Sequence, residues 1–329
     1  MHKGMRRQVG CARLSWMLGL ASALLLAASA TAAAQVETVT FTSTADGMSG
    51  LVSRVIAQQK LDAKNGLHVD AKSFSPDKAT STLVMKQMET GFISPMALAR
   101  VNLRGNQLRI FGPQLWNHIS IVVQPDAGIS TLGGLQGKKL AILPRVSGAY
   151  NTWALVNQMR GIDVETSYQM IFGPPPVILG LFYKKEVQAA AIFEPLTTGL
   201  LAAKKGVEIL RVKDLWRELT GEPMMLTGLA AYQDWLDANP SKARKLAATY
   251  LDAHRYIVAH AAAVIEANRD YLKVTSEAHA KLLAERLPEV LPVRWDDKLI
   301  ANAELITSKA AEFGLIKGVP PGKLFLKFE

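Results

Sequence analysis

Apolar and polar residues repeat with two alternating periods along the first part of the chain. Residues 36–42 alternate apolar with polar side chains and are rich in β-branched residues, which predicts a β-strand. After a polar turn at residues 43–47, apolar side chains recur at helical spacing as far as Gln59, which predicts a helix. The two patterns then recur, with strands predicted at residues 67–71, 91–93, 108–111 and 118–123, and helices at residues 80–88 and after Ser94-Pro95.

The alternation begins again after Gly128. Further strands are predicted at residues 140–143, 168–172, 188–193 and 207–212, and further helices at residues 147–159, 177–183 and 195–204. Strands that alternate with helices form parallel sheets covered by helices on both faces. We therefore predict an α/β protein, in which residues 35–126 form the first part of one lobe and residues 127–223 form a second lobe.

The C-terminal part of the chain is mainly helical. Asn239-Pro240 is typical of a helix start, and Ala-rich amphipathic helices are predicted at residues 276–286 and 298–313. We assign residues 224–329 to a return of the chain into the first lobe. Since no low-complexity linker separates these segments, short crossings should join the two lobes.

The N-terminus has the composition of a secretory signal peptide. It begins with a basic head, made of Lys3, Arg6, Arg7 and Arg13. An apolar run follows at residues 14–28, and a stretch of small residues at 30–34. We predict cleavage between Ala34 and Gln35, and a periplasmic location for the remaining 295 residues. The alternative is a retained membrane anchor, for which the apolar run is short. The arginine pair leaves both Sec and twin-arginine export open.

Cysteine and charge limit the function classes. Cys11 is the only cysteine and precedes the predicted cleavage, so the mature chain should have no disulfide and no cysteine metal site. Removal of residues 1–34 takes away four basic residues and no acidic one, which lowers the formal charge from +10 to +6. This charge is spread without a basic run, which argues against a nucleic-acid partner and favours an anionic solute.

Four segments resemble one family of transport proteins: residues 132–142, 147–150, 190–195 and 232–240. In order and spacing they are similar to the periplasmic solute-binding proteins of the nitrate, taurine and alkanesulfonate type, which have a relative in a thiamine-precursor synthase. The resemblance implies a type II two-lobed periplasmic-binding-protein fold, in which each lobe is a mainly parallel sheet flanked by helices and a ligand cleft lies between. It also implies an ABC permease and ATPase at the inner membrane as partners.

One departure concerns the loop after the predicted helix at residues 177–183. The family usually has glycine there, whereas this chain has Lys184-Lys185-Glu186. We expect this loop to differ in shape.

The ligand should lie beyond the carboxyl ends of the parallel strands, where helix N-termini favour anions. The candidate ligand-binding residues share that position and are Asp46, Gly47, Met48, Ser94, Trp116, Asn117, Arg145, Ser147, Gly148, Ala149, Tyr150, Phe172, Glu194 and Thr227. Small residues at 147–149 let the backbone approach a ligand closely. Arg145 could pair with an acidic group, and Tyr150 could cover an apolar part.

Each candidate has a structural alternative. Asp46, Ser94 and Ser147 could be ordinary helix caps, and Arg145 could be a solvated surface charge. Trp116 could be hinge packing. For Glu194 we favour a hinge hydrogen bond over ligand binding, because Glu-Pro recurs in the family with different ligands.

The sequence lacks the usual signatures of catalysis. The histidines form no metal-binding helix pair, and there is neither a Gly-x-Ser-x-Gly elbow nor a phosphate loop. The related synthase depends on a cysteine-rich motif that this chain does not have. We therefore predict a monomeric binding protein, not an enzyme, with no metal and no cofactor, which takes a sulfonate, a taurine-like acid or an aromatic carboxylate.

Two alternatives remain open. The first is a periplasmic enzyme of the same fold with Glu194 or Asp46 as the base. The second is a ligand-sensing partner of a membrane receptor.

Overall fold

The computed structural model describes Met1 and residues 36–328, and the chain from Glu37 onward forms one compact unit. The predicted signal peptide and Cys11 lie outside the described residues. The strands of the described part are β1 (Glu37–Thr44), β2 (Leu67–Phe74), β3 (Thr90–Ile93), β4 (Leu108–Trp116), β5 (Ile119–Val123), β6 (Lys139–Ile142), β7 (Gln169–Phe172), β8 (Ala189–Phe193), β9 (Val207–Arg211) and β10 (Met225–Tyr232).

The α-helices of the described part connect and cover these strands. They are α1 (Gly47–Gln59), α2 (Leu61–Lys64), α3 (Pro76–Val84), α4 (Pro95–Asn102), α5 (Gly148–Gln158), α6 (Val164–Ser167), α7 (Pro175–Tyr183), α8 (Leu196–Ala202), α9 (Val212–Thr220), α10 (Gln233–Ala238), α11 (Pro240–Ala259), α12 (Ala261–Ala267), α13 (Arg269–Leu272), α14 (Glu277–Arg286) and α15 (Asp297–Glu312). Short 3₁₀ turns lie at Gly133–Leu135 and Leu287–Val290.

The strands form two five-stranded sheets. The first has the order β2-β1-β3-β10-β4, with β10 antiparallel to both of its neighbours. The second has the order β7-β6-β8-β5-β9, with β5 antiparallel to β8 and β9. The predicted α/β class is confirmed, and each sheet is mainly parallel because helices carry the chain back between successive strands.

The position of β5 differs from the sequence-based division into lobes. That division carried the first lobe through residue 126, whereas β5 pairs with β8 and β9 of the second sheet. The hydrophobic pattern predicts a strand here but cannot say which sheet it joins. We therefore propose that the first crossing lies at residues 117–118.

The two crossings lie side by side. Asn117 follows β4, and Met224 precedes β10. The Asn117 N–H donates a hydrogen bond to the Met224 carbonyl oxygen at 2.8 Å. The Asn117 side-chain oxygen accepts from the Ile119 N–H at 3.0 Å, and Asn117 is completely buried. A single buried asparagine thus joins both chain segments that connect the sheets.

Apolar packing forms three clusters in the described part. One cluster belongs to the first sheet, with α1 and α11, and a smaller one to the second sheet, with α7 and α8. The third includes residues of both sheets together with α4, α5, α9 and α15. Helices α4 and α5, whose starts carry Ser94 and Ser147, are therefore packed on a core that both sheets share.

Candidate functional site

Two helix N-termini meet between the sheets. Ser94 caps α4 by accepting from the Ala97 N–H at 3.3 Å, and Ser147 caps α5 by accepting from the Tyr150 N–H at 3.2 Å. A Cβ built on Gly148 would lie 3.8 Å from the Ser94 Cβ and 3.4 Å from Leu226 Cδ1. The first turns of α4 and α5 are therefore in van der Waals range: a Cβ alone would fit at 148, whereas a branched side chain would crowd them.

The N-terminus of α1 is built differently. Asp46 occupies the N-cap position but makes no side-chain cap hydrogen bond, while Thr44 Oγ1 accepts from the Gly50 N–H at 3.0 Å. A Cβ on Gly50 would lie 2.1 Å from the Tyr271 hydroxyl oxygen and 2.3 Å from the Thr44 carbonyl, so only glycine fits. Tyr271 in turn donates to the Gly47 carbonyl at 2.8 Å. Tyr271 and Thr44 thus fix the shape of this helix start, and the aspartate does not cap it.

A chain of neutral polar side chains lies behind this helix start. Thr227 Oγ1 donates to Gln114 Oε1 at 2.6 Å, and Gln114 Nε2 donates to Ser49 Oγ at 2.6 Å. Gln114 is completely buried. Because Gln114 donates to the Ser49 oxygen, the proton of the Ser49 hydroxyl remains for another acceptor.

Arg145, Tyr150 and Phe172 form one cluster. The Arg145 guanidinium lies 4.2 Å from the centre of the Phe172 ring, and the Tyr150 and Phe172 rings meet edge to face at 5.8 Å. The group that holds them is Glu165, which the sequence analysis missed. Arg145 donates to both Glu165 oxygens, at 2.9 and 2.6 Å, and the Tyr150 hydroxyl donates to the same carboxylate.

This cluster affects the ionisation of its members. The hydrogen bonds from Arg145, together with that from Tyr150, lower the pKa of Glu165 to about 2, although burial acts in the opposite direction. Burial and the Glu165 carboxylate raise the pKa of Tyr150 to about 12. Arg145 is therefore already paired with a carboxylate of the protein, in a partly exposed ion pair on the side of α5 that faces α6 and β7.

Glu194 lies at the end of β8 in a buried ion-pair network. Its Oε2 accepts from Thr198 Oγ1 at 2.6 Å and from the Thr198 N–H at 3.1 Å, so it caps α8. Its Oε1 accepts from Arg286 Nε at 2.6 Å. Arg286 also donates to both oxygens of Glu208, at 2.8 and 2.7 Å. The last residue of α14 is thereby fixed to two strands of the second sheet.

The network continues through Glu289, which lies in the 3₁₀ turn after α14. Lys213 donates to its side chain at 2.7 Å and to its carbonyl at 3.1 Å, and Arg211 donates to the same carboxylate. Burial acts to raise the pKa of Glu208, but hydrogen bonds from Arg286 and Ser120 lower it to about 2. The C-terminal segment thus contacts the second sheet through charges of both signs.

His118 is a packed residue of the crossing. Its Nδ1 lies 2.9 Å from the Trp116 carbonyl oxygen, and its ring meets Phe193 edge to face. Burial lowers the pKa of His118, against a smaller raising effect of the Trp116 carbonyl. Among residues 36–328, no group of three or more His, Cys, Asp or Glu side chains is placed to hold a metal ion. No helix in this same range has the length and apolarity required to cross a bilayer.

Comparisons with known proteins give a fold. Residues 136–269 match the model of the NMT1-like family, whereas no curated protein matches the sequence. The alkanesulfonate-binding protein SsuA from Xanthomonas axonopodis pv. citri, solved with MOPS bound, superposes with a TM-score of 0.68 at 14% identity, over 88% of this chain and 98% of that chain. The fold is that of the two-lobed periplasmic binding proteins.

Two further structures share this binding fold. The periplasmic aliphatic sulphonate binding protein SsuA from Escherichia coli gives a TM-score of 0.67 at 17% identity, over 88% of this chain and 95% of that chain. The periplasmic nitrate-binding protein NrtA from Synechocystis PCC 6803 gives a TM-score of 0.62 at 14% identity, over 86% of this chain and 83% of that chain. The resemblance and the fold class drawn from the sequence are confirmed.

Within the two-lobed binding fold, the predicted site residues fall into separate groups. Ser94, Ser147, Gly148 and Ala149 lie where α4 meets α5, and Asp46, Gly47, Met48 and Thr227 lie around the start of α1. Arg145, Tyr150 and Phe172 belong to the cluster around Glu165. Trp116, Asn117 and Glu194 lie in or beside the crossings.

Two residues of the site region escaped the sequence analysis. Gln114 could have been found as a polar side chain inside the buried strand β4, where a pattern of apolar neighbours makes an amide conspicuous. Glu165 gave no such signal, because it sits in a short polar helix.

Proposed function

We propose that this protein is the periplasmic solute-binding component of an ABC importer and binds a small organic acid between its lobes. The observation that carries the proposal is the close approach of α4 and α5 at Ser94 and Gly148, beside two adjacent crossings. In sheets of this topology, ligands lie beyond the carboxyl ends of the strands, and helix N-termini supply N–H groups to an anion. The names of the similar solved structures support a sulfonate-like or nitrate-like solute.

The side chains favour neutral hydrogen-bond donors as the means of recognition. Thr44 and Tyr271 hold the start of α1, where Asp46 makes no cap hydrogen bond, and Gln114 orients the Ser49 hydroxyl. Arg145 is paired with Glu165 in a partly exposed ion pair, so a ligand acid would compete with that carboxylate for it. We therefore infer that the anionic group binds at the helix starts, and that Tyr150 and Phe172 act as a rigid wall of the second lobe.

The other parts of the proposal rest on the resemblance and the sequence. They are export by a cleaved signal peptide, a monomeric state, and an inner-membrane permease and ATPase as partners. Glu194 is assigned to the hinge, because both of its oxygens are bonded within the protein. We propose no catalytic role for it, and a binding role without turnover agrees with the names of the similar structures.

A thermal-shift panel of sulfonates, taurine, aromatic carboxylates and nitrate tests the proposal on the chain from Gln35 onward. One solute should raise the melting temperature in a saturable way. In Gly148→Val, the added methyl groups should hold α4 and α5 apart, which should weaken that solute at least tenfold.

Gly180→Val is the matched control. Gly180 lies within α7, and a Cβ there would meet nothing within 4 Å, so the ligand response should be unchanged. A panel without any stabilising solute, or Gly148→Val with wild-type affinity, would contradict the proposed site. Release of a chemically altered solute after long incubation, measured by mass spectrometry, would favour the enzyme alternative.

A further inference from the structure

Six exposed lysines lie at one edge of the second sheet, which we call the basic edge. They occur as three dipeptides: Lys138-Lys139, Lys184-Lys185 and Lys204-Lys205. The first dipeptide leads into β6, the second follows α7 before β8, and the third follows α8 before β9. Strands β6, β8 and β9 run in the same direction, so the segments before them share one edge.

Local contacts bring the dipeptides close together. The Lys139 N–H donates to Gln188 Oε1 at 3.1 Å, and the Gln188 N–H donates to the Lys139 carbonyl at 3.1 Å. A Cβ on Gly206, which follows Lys205, would lie 3.5 Å from the Phe182 ring at the end of α7. With strands about 4.8 Å apart, the starts of β6 and β9 are separated by roughly 14 Å.

The basic edge is weakly neutralised. Among the described residues, Lys185 is the member with a carboxylate within 4 Å, and its partner Asp126 is itself largely exposed. The nearby Glu186 is also exposed. Most of the lysines therefore present their charge to solvent. Arg211, Lys213 and Arg286 differ, because each forms an ion pair with a carboxylate of the protein.

The backbone at two of these lysines favours glycine. Lys185 and Lys204 have φ of 58° and 54°, in the left-handed region. Each closes its helix by donating to a carbonyl three residues earlier, Phe182 or Leu201, and the next residue donates five residues back. Glycine normally takes this position at a helix end, because a side chain there is strained. Lysine thus adds charge at two sites where the backbone alone would favour glycine.

Apolar side chains flank the lysines. Tyr183 is 56% exposed beside Lys184, and Val207 is 48% exposed beyond Lys205. Tyrosine with lysine is the combination that suits a bilayer interface, because the ring enters the headgroup region while the ammonium groups meet lipid phosphates. A purely electrostatic partner would not require the two apolar side chains.

We propose that the basic edge docks the second lobe onto an anionic bilayer surface. This interaction is separate from the proposed solute binding. Helices α5 and α8 begin at the opposite end of the sheet from the basic edge, so docking would leave the N-termini at the candidate cleft uncovered. The function of the edge would be to hold the protein near a membrane while the cleft remains free.

Vesicle sedimentation tests the proposal with the chain from Gln35 onward, which lacks the predicted signal peptide. Vesicles of phosphatidylcholine with phosphatidylglycerol should bind the protein at low salt, and pure phosphatidylcholine vesicles should not. Lys185→Gly combined with Lys204→Gly should weaken binding about 30-fold, since each lysine near an anionic surface contributes roughly 1 kcal/mol, or about fivefold. The melting temperature should stay the same or rise, because glycine relieves the left-handed backbone.

The chain offers a matched control. Lys60 and Lys273 also have left-handed backbones, with φ of 52° and 55°, but they lie at helix ends outside the second sheet. Lys60→Gly with Lys273→Gly removes the same charge and should bind the vesicles as the wild type does. Equal losses in both double variants would contradict a localised docking edge.

Two other outcomes would overturn the proposal. One is equal binding to vesicles with and without phosphatidylglycerol. The other is tight binding to a short DNA duplex together with vesicle binding that Tyr183→Ser leaves unchanged, which would indicate a general polyanion site. A loss of vesicle binding in Tyr183→Ser, at unchanged stability, would support the bilayer.

Discussion

Arg286 Nε donates a hydrogen bond to Glu194 Oε1 at 2.6 Å, and this contact joins the end of α14 to the end of β8. Both side chains are nearly buried, at 10% and 3% exposure. The remaining Arg286 donors hold Glu208 in a bidentate pair. Arg211 Nε also donates to Glu208, at 3.1 Å, so Glu208 has two cationic partners. Glu194 depends on Arg286 alone among the described residues, and without Arg286 its carboxylate would be buried without a cation.

We predict that Arg286→Gln lowers the free energy of unfolding by about 3–5 kcal/mol, because it leaves the buried Glu194 carboxylate without its cation and removes one of the two cations that hold Glu208. Urea unfolding followed by circular dichroism measures the change. Arg255→Gln is the control, since Arg255 pairs with Asp252 at an exposed site and should change stability by less than about 1 kcal/mol. Equal effects of the two substitutions would show that the network around Arg286 does not stabilise the fold.

The lowered pKa of Glu208 predicts that the free energy of unfolding depends on pH in the acidic range. Its pKa in the folded protein is about 2, below the ordinary value of 4.5. The contribution is therefore complete above about pH 5 and is lost as the pH falls through about 2. The difference in unfolding free energy between wild type and Glu208→Gln should shrink by about 2–3 kcal/mol over that interval, after allowance for partial solvent screening. A constant difference would refute the ion pair.

His254 predicts a second dependence, at higher pH. Burial lowers its pKa from 6.5 to about 4, while its Nδ1 lies 2.7 Å from the Pro292 carbonyl oxygen and its Nε2 has no partner in the described part. The unfolded chain then takes up a proton at a higher pH than the folded one. Stability should be full above about pH 6.5 and fall by about 3 kcal/mol towards pH 4.

His254→Met should remove this loss between pH 6.5 and pH 4 while keeping the core filled. Guanidinium unfolding of both proteins across that range gives the comparison. If the two curves run parallel, the buried imidazole is not the source of the pH dependence.

Gly50→Ala should destabilise the start of α1. The new Cβ would lie 2.3 Å from the Thr44 carbonyl oxygen, which is backbone and cannot turn away, so we expect a loss of about 2 kcal/mol or more. Gly180→Ala places the same change in a helix where nothing lies within 4 Å, and should stabilise by about 0.5–1 kcal/mol. Thermal unfolding of the pair separates crowding from helix propensity.

Hydrophobic periodicity predicted most of the elements because each lobe buries one face of its helices and most of its strands. The predicted helix at residues 80–88 is wrong in position, since α3 runs from Pro76 to Val84 and begins at a proline that suits the first helical turn. Helix α9 and strand β10 were not predicted, and β5 was placed in the wrong sheet. The local hydrophobic period does not show which strands, distant along the chain, pair with one another.

The sequence predicted where the helix starts of the candidate site lie, but it did not predict which side chains contact one another there. Strand ends and small residues pointed correctly to Ser147 and Gly148 as the start of a helix beside the other lobe. The sequence could not show that Glu165 pairs with Arg145, or that Arg286 pairs with Glu194, because the partners are 20 and 92 residues apart along the chain. Charged side chains are assigned to a ligand or to the fold only once their partners are known.

Small-angle X-ray scattering of the chain from Gln35 onward, with and without the solute that stabilises it most, tests closure of the two lobes most directly. The account predicts a smaller radius of gyration with solute, and a reduced change in Gly148→Val. Scattering curves that superpose for the empty and the saturated protein would contradict it.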